Sequence, residues 1–371
     1  MKLVHISDTH LGFGAYSKLD PAEGINQREA DIYRAFEQAI DKALELKPDV
    51  VVHSGDLFDT VRPQNRAIDF ALRQLLRLSE AEVETVLISG NHSTPRLRET
   101  GNIFRIFEHL KNVHPVHEPG ARKIAVGDLA VHAAPHSSSP SLVDIVSKVS
   151  PSKDARFNVL VLHAGILDSD TYRMDEFNEQ TIPLSAVRGG WDYVALGHFH
   201  RFAEVAKNVY YAGSTERLGF GESTQKKGMV EVDLEKHFVK FHELKIREMV
   251  DLKTLDAANL ASSEILREAK DIVSSSSIDD KIVRLAILNV ASDAYKSLDV
   301  SAIRRLGGSA LHFEIKIDRL DAEGRREAGE TQIGLLADEF RKYVAKLEMP
   351  DEKKKRLVDL GMPYLTKEEE S

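Results

Sequence analysis

The 371-residue sequence contains no cysteine. Disulfides, thiolate metal sites and cysteine nucleophiles are excluded together. No run of ~18 apolar residues occurs, so no membrane-spanning helix is expected. The N-terminal stretch from Met1 to Ile6 reads straight into a strand. It is too short for a signal peptide, and no small-residue cleavage site follows. The expected compartment is the cytoplasm. Internal repeats and extended low-complexity segments are also lacking. Nor is positive charge in excess: 50 Lys and Arg against 59 Asp and Glu give a net charge of −9. That argues against a wholly basic, nucleic-acid-coating surface but leaves room for a local basic groove, because phosphate contacts depend on the patch and not on the total.

What is present is ordinary for a globular chain: 42% apolar and 29% charged residues. The length fits two to three domains. Five short β-branched runs recur: Leu3 to Ile6, Val50 to His53, Val86 to Ile88, Val159 to Leu162 and Tyr193 to Leu196. Such runs suit strands buried on both faces. Between them, Ile32, Phe36, Ala39, Ile40 and Ala43 follow a helical rhythm over 29–46. Pro63 is expected to open a second helix with Ala67, Phe70, Ala71 and Leu75 inward. Later runs at 209–211, 229–234 and 238–241 alternate and read as antiparallel strands. The expected fold is a layered α/β sandwich over 1–247. A small α/β domain over 248–320 follows, with a helix near 265–273, a strand through Val283, Leu285 and Ile287, a short helix near 300–306 and a strand at 311–317. Residues 321–371 read as a charged linker and a helical tail, with Leu336, Phe340, Val344 and Leu347 on one helix and Leu357 and Leu360 on the next.

The informative residues sit at the ends of the five runs. Asp8-Thr9-His10 follows the first, Gly55-Asp56 the second and Gly90-Asn91-His92 the third. His163 closes the fourth, and Gly197-His198-Phe199-His200 follows the fifth. Ligand sites of open α/β sheets form beyond the carboxyl ends of their strands, so five segments deliver Asp, Asn and His to one edge. Any one cluster alone reads equally well as a turn or a surface loop; their recurrence at one structural position argues for a metal centre. Nitrogen and oxygen donors without sulfur suit Mn²⁺, Fe or Zn²⁺. Two cations about 3.5–4 Å apart clamp a phosphate and activate the attacking water, and Asp56 is the natural bridge.

This ordered set resembles the calcineurin-like metallophosphoesterase superfamily. The longer stretches HISDTHLG, HSGDLFDT, GNHSTPR and LGHFHR are similar to the SbcD family, the nuclease subunit of the SbcCD double-strand-break repair complex. The resemblance in motifs covers residues 3 to about 217. It implies a metallophosphoesterase sandwich, a capping domain over 248–320 that orients DNA, and a partner-binding tail. It implies two Mn²⁺ ions per chain, with Mg²⁺, Fe²⁺ or Zn²⁺ as alternatives. Asp8, His10, Asp56 and His200 would hold one ion; Asp56, Asn91, His163 and His198 the other. His92 would act as the acid for the leaving oxygen. The implied activity is a 3'-5' exonuclease and endonuclease on DNA. The implied partners are a coiled-coil, SMC-like ABC ATPase gripped by the tail, and a second copy of the chain. One departure stands out: the family has Asp after Gly-Asn-His, where this chain has Ser93, and a serine orients an imidazole less strongly than a carboxylate.

Other residues have plainer readings. His5 and His53 lie inside strands and read as core; His132 and His136 flank Pro135 and read as structural. Asp59 either supports the site from outside the ligand set or starts a turn. Arg62, Arg66, Arg96, Arg98 and Arg201 follow the motifs and are the candidate DNA contacts, although each alone reads as a solvated charge. The loops 12–28 and 168–180 are candidates for shaping the groove. Two other functions compete. A two-metal phosphatase or cyclic-nucleotide phosphodiesterase would keep the metals but would need neither cap nor tail. A non-enzymatic module on the same scaffold would be expected to lack several ligands.

Overall fold

The computed structural model describes residues 1–95, 101–137, 139–167, 180–320, 344 and 353–358. The first strands are β1 (Lys2–Ile6), β2 (Val50–His53), β3 (Glu84–Ile88) and β4 (Val113–Val116). They pair in parallel and in order. Next come β5 (Arg122–Val126), β6 (Leu129–Ala134), β7 (Phe157–His163), β8 (Gly165–Ile166), β9 (Thr181–Ile182) and β10 (Tyr193–Gly197). β11 (Ala203–Ala206), β12 (Val209–Tyr211), β13 (Gly228–Asp233) and β14 (Phe238–Glu243) follow. One six-stranded sheet has the order β14-β13-β1-β2-β3-β4 and the other β11-β12-β10-β7-β6-β5.

The β-branched runs explain the layering. Leu3, Val50, Val52 and Val86 from the first sheet meet Val131, Val159, Val161 and Ala195 from the second in one buried cluster. Alternate residues point outward, as the strand period of two requires. On the first sheet, Val4, Ile6, Val51 and Leu87 pack against helices α1 (Gln27–Leu46) and α2 (Asn65–Glu80) through Ile32, Phe36, Phe70 and Leu75. On the second, Leu160, Leu162, Val194 and Leu196 pack against α3 (Leu142–Val146) and α4 (Leu184–Val187). The result is a four-layer α/β sandwich, as the pattern of runs predicts.

Local chemistry sets the helix ends. Asn26 caps α1 by accepting from the N–H groups of Arg28 and Glu29, and its amide also donates to the carbonyls of Ala15 and Tyr16. Lys47 ends α1 in the left-handed conformation, just before Pro48. The second helix starts at Asn65 with Gln64 at its cap, so Pro63 precedes the helix instead of opening it. β12 is parallel to β10 and antiparallel to β11, so it extends the parallel sheet where an antiparallel strand was expected.

The chain divides into two units: 1–250 with 279–283 and 309–312, and 251–278 with 284–308 and 313 onward. The second is built on β16 (Leu255–Asp256) and most of β17 (Ile282–Ala291) and β18 (His312–Leu320), with β18 paired to β17; β15 (Met249–Asp251) falls mostly in the first unit. Its helices are α5 (Ser262–Ser274), α6 (Ser292–Ser297) and α7 (Val300–Leu306). Ile265, Ala269 and Val273 form the buried stripe of α5. The expected linker lies outside the described residues. So does the first tail helix, save for the buried, helical Val344; residues 353–358 of the second are helical. No described helix is long and apolar enough to cross a membrane.

Candidate metal centre

The parallel strands β1, β2 and β3 of one sheet and β7 and β10 of the other end at the same edge of the sandwich. The loop after β1 lies against the loop after β2: Asp8 N–H donates to the Gly55 carbonyl at 3.1 Å and His10 N–H to the Asp56 carbonyl at 3.0 Å. To point inward, Asp8, His10, Asp56 and His198 adopt positive φ of 49°, 46°, 49° and 100°. Such conformations cost about 1–3 kcal/mol each and persist where the surroundings enforce them, commonly at functional sites. Two glycines make the approach feasible. A Cβ on Gly55 would overlap the His163 imidazole, and one on Gly90 would overlap the Asp56 carboxylate.

The seven candidate ligands converge. Asp8, His10 and His200 form one buried group of donors, Asp8, Asp56 and His163 another, and His10, Asp59 and His92 a third, partly buried one. Asp8 is common to the two buried groups, whereas the sequence singles out Asp56 as the bridge. His163 Nε2 lies 3.0 Å from Asp56 Oδ2 and 2.8 Å from Asn91 Oδ1. The His198 ring stands edge-on to His163 at 5.4 Å, and its backbone N–H donates to both Asp8 oxygens at 3.0 and 3.2 Å.

The outer partners of the imidazoles test whether this cradle fits a metal. His10 Nδ1 faces Asp59 Oδ1 at 3.2 Å, His200 Nδ1 faces Glu222 Oε1 at 2.8 Å, and His163 Nδ1 donates to the Ser54 carbonyl at 2.9 Å. Occupying Nδ1 with an acceptor fixes the tautomer and turns the Nε2 lone pair inward. The Nε2 atoms of His10 and His200 then face each other at 3.2 Å. Two lone pairs so placed repel unless a cation or a proton lies between them. The donor set therefore fits a divalent metal centre of nitrogen and oxygen ligands.

The ionisable groups of the cluster shift one another. Burial works against ionised Asp56, but His163, His10 and His92 outweigh it and hold its carboxyl well below the usual range. Burial likewise opposes a charged His163, yet Asp56 raises that imidazole to about 9. Burial dominates at Asp8 and pushes it up.

His92 sits beside this cluster, its ring edge-on to His10 at 4.9 Å. Its N–H donates to Asp56 Oδ1 at 3.0 Å, and its Nδ1 donates to the Asp59 carbonyl at 2.8 Å. The Asp59 backbone thus supplies the orienting acceptor that Ser93 does not; Ser93 is buried and its hydroxyl makes no hydrogen bond. Asp59 accordingly touches both His10, through its carboxylate, and His92, through its carbonyl.

Two residues escape sequence reasoning. Glu222, in a 3₁₀ turn over Phe220–Glu222, holds His200 and is itself held by Lys227 Nζ at 2.6 Å. Lys227 is 1% exposed and also donates to the His200 carbonyl and Ser214 Oγ. Burial opposes the charge on Glu222, but His200 and Lys227 bring its carboxyl down to about 2. Nothing in the string GFGEST marks Glu222; only the fold places it 2.8 Å from an imidazole 22 positions earlier.

The remaining candidates scatter. His5 and His53 are core residues, bonded to Tyr193 and Ser54 and to Thr9 respectively. His132 and His136 are buried, His132 against Trp191 and Asn158. Arg62 and Arg201 are exposed, and Arg66 pairs with Glu29 at 3.6 Å. Arg96, Arg98 and most of the loop 168–180 lie outside the described residues.

Comparison with known proteins agrees with this geometry. The archaeal DNA double-strand break repair protein Mre11 of Sulfolobus acidocaldarius is 26% identical over 377 residues, covering 97% of this chain and 94% of that protein. The Mre11 proteins of Methanococcus maripaludis and Methanocaldococcus jannaschii are 29% and 32% identical over 60% and 58% of this chain. Those matches cover 59% and 57% of the two proteins, so they span less than two thirds of each. The likeness of the motifs to SbcD-type nucleases agrees with these relatives. The family described as calcineurin-like phosphoesterase matches residues 1–202. That span ends just beyond His200 and encloses all seven candidate ligands, and the chain belongs to the calcineurin-like phosphoesterase family.

Proposed function

We propose that the chain is a Mn²⁺-dependent DNA nuclease, a 3'-5' exonuclease and endonuclease acting in double-strand-break repair. The observation that carries this reading is the convergence of seven candidate nitrogen and oxygen ligands from five strand ends, with His92 beside them. The relatives named as double-strand break repair proteins point to DNA as the substrate.

In this reading Asp8, His10, Asp56 and His200 would hold one ion and Asp56, Asn91, His163 and His198 the other. The chemistry such a pair would supply is charge neutralisation at the phosphate and activation of the attacking water. The protein's own residues do the rest. Asp59 and Glu222 aim the imidazoles of His10 and His200. His92, donating its Nδ1–H to the Asp59 carbonyl, would act as the acid in its imidazolium form, giving the Nε2 proton to the leaving oxygen and being left as the neutral Nδ1–H tautomer. Its N–H bond to Asp56 ties that acid to the ligand cluster. Residues 248–320 act as a cap that orients DNA. The tail over 321–371 binds a coiled-coil, SMC-like ABC ATPase, and the chain pairs with a second copy in the cytoplasm.

The test compares Mn²⁺-dependent turnover of linear duplex DNA, a phosphopeptide and a cyclic nucleotide by the same preparation. Cleavage of DNA alone is expected. Turnover confined to the phosphopeptide or the cyclic nucleotide would move the chain to the phosphatase or cyclic-nucleotide reading.

A further inference from the structure

The outer face of the second sheet carries a cavity of about 450 Å³ at its β5 edge. Arg122, Lys123 and Lys148 line it together with His132, Ile145 and Val149, and no carboxylate does. All three cations are exposed. Lys123 meets only a neutral partner, donating to Ser152 Oγ at 3.3 Å. Arg122 and Lys148 form no ion pair among the described residues. The nearby Asp144 carboxylate is engaged by Ser141 Oγ at 2.7 Å. In a chain of net charge −9, three like charges around one hollow repel one another, and an anionic ligand removes that cost.

Strand register places the hollow relative to the metal centre. Arg122 is opposite Ala133 of β6, and Ala133 is opposite Val161 of β7, two residues before His163. Arg122 therefore lies near the sheet edge that carries the candidate ligands, about 10 Å across the strands and about 7 Å back along them from His163, or ~12 Å in all. One DNA strand carries a phosphate every ~3.4 Å of helix axis, so that distance corresponds to about three to four nucleotides.

We propose that Arg122, Lys123 and Lys148 form a phosphate-binding subsite for the DNA backbone flanking the scissile bond. This deepens the nuclease reading and rests on it. The subsite positions the strand without reading sequence, since phosphate contacts carry no base information. It differs from Arg66, which pairs with Glu29, because its three cations line one cavity without a carboxylate.

The experiment uses the full chain and the variant R122Q/K123Q/K148Q, with duplex DNA affinity measured across a salt series. The variant is expected to bind DNA about tenfold more weakly. Its slope of log affinity against log salt is expected to fall by up to about 2.7, or about 0.9 for K148Q alone. Hydrolysis of bis(p-nitrophenyl) phosphate, too small to span both places, stays at the wild-type rate. Unchanged DNA affinity and salt slope overturn the subsite. So does loss of inorganic phosphate binding with DNA binding intact, which would make the hollow a site for free anions. A wild type that hydrolyses the small diester but has no affinity for DNA overturns the nuclease reading, and the subsite with it.

Discussion

At the scale of single residues, the imidazoles depend on what holds their far nitrogens. Glu222 is the clearest case, because it grips His200 on one side and buried Lys227 on the other. Glu222→Gln keeps the shape but replaces the anionic acceptor with a neutral amide that can present its NH₂ instead. Loss of such outer contacts costs about 10–100-fold in metal affinity. Calorimetric Mn²⁺ titration, made at a temperature where the variant is fully folded, should show that loss, and the metal-free variant should also unfold at a lower temperature because buried Lys227 loses its carboxylate partner; wild-type metal affinity would mean Glu222 does not position the ligand. The candidate ligands were legible in the sequence because Asp8, Asp56, Asn91 and His198 each follow a buried strand in a short, glycine-bearing string. Glu222, Lys227 and the Asp59 carbonyl were not, since each acts across the fold on a residue far away in sequence and no local pattern selects it.

At the scale of elements, the strands ending in ligands were readable because burial on both faces demands continuous β-branched runs. The edges were harder. β5 has only Ile124 buried, flanked by exposed Lys123 and Ala125, so its pattern resembles a polar loop. Pro63 fits a first helical turn by its fixed φ, yet the helix begins two residues later. Asn26 shows how an element end supports the site's surroundings. Its side chain caps α1 and ties down the preceding loop at Ala15 and Tyr16. Asn26→Ala should cost about 1 kcal/mol of stability, read as a lower urea midpoint, and should raise proteolytic cleavage within 12–25. An unchanged midpoint would show that the cap contributes nothing.

At the scale of the whole molecule, the centre depends on a core that contains neutral histidines. Burial, with His53 nearby, lowers His5 to about 3 from an ordinary 6.5. Above pH 6.5 His5 is neutral in both the folded and unfolded chain and adds no pH dependence. Between about 6.5 and 3 the unfolded chain binds a proton that the folded chain refuses, so stability falls as pH falls. His5→Gln should flatten the stability profile in that window by up to one proton, about 1.4 kcal/mol per pH unit; an unaltered slope in urea melts would refute it. The two-part division was only partly visible in sequence. The chain enters the second unit three times, at 251, 284 and 313, and short returns such as 279–283 carry no compositional mark.

The central claim is that seven residues bind metal while His92 moves a proton. Its most direct test is Mn²⁺ stoichiometry and linear DNA cleavage measured together for wild type, Asp56→Asn and His92→Ala. Wild type should bind two ions and cut. Asp56→Asn should lose metal and activity together. His92→Ala should bind both ions and cut about 10²–10⁴-fold more slowly. A His92→Ala protein that loses its metal, or that cuts at the wild-type rate, would contradict the account.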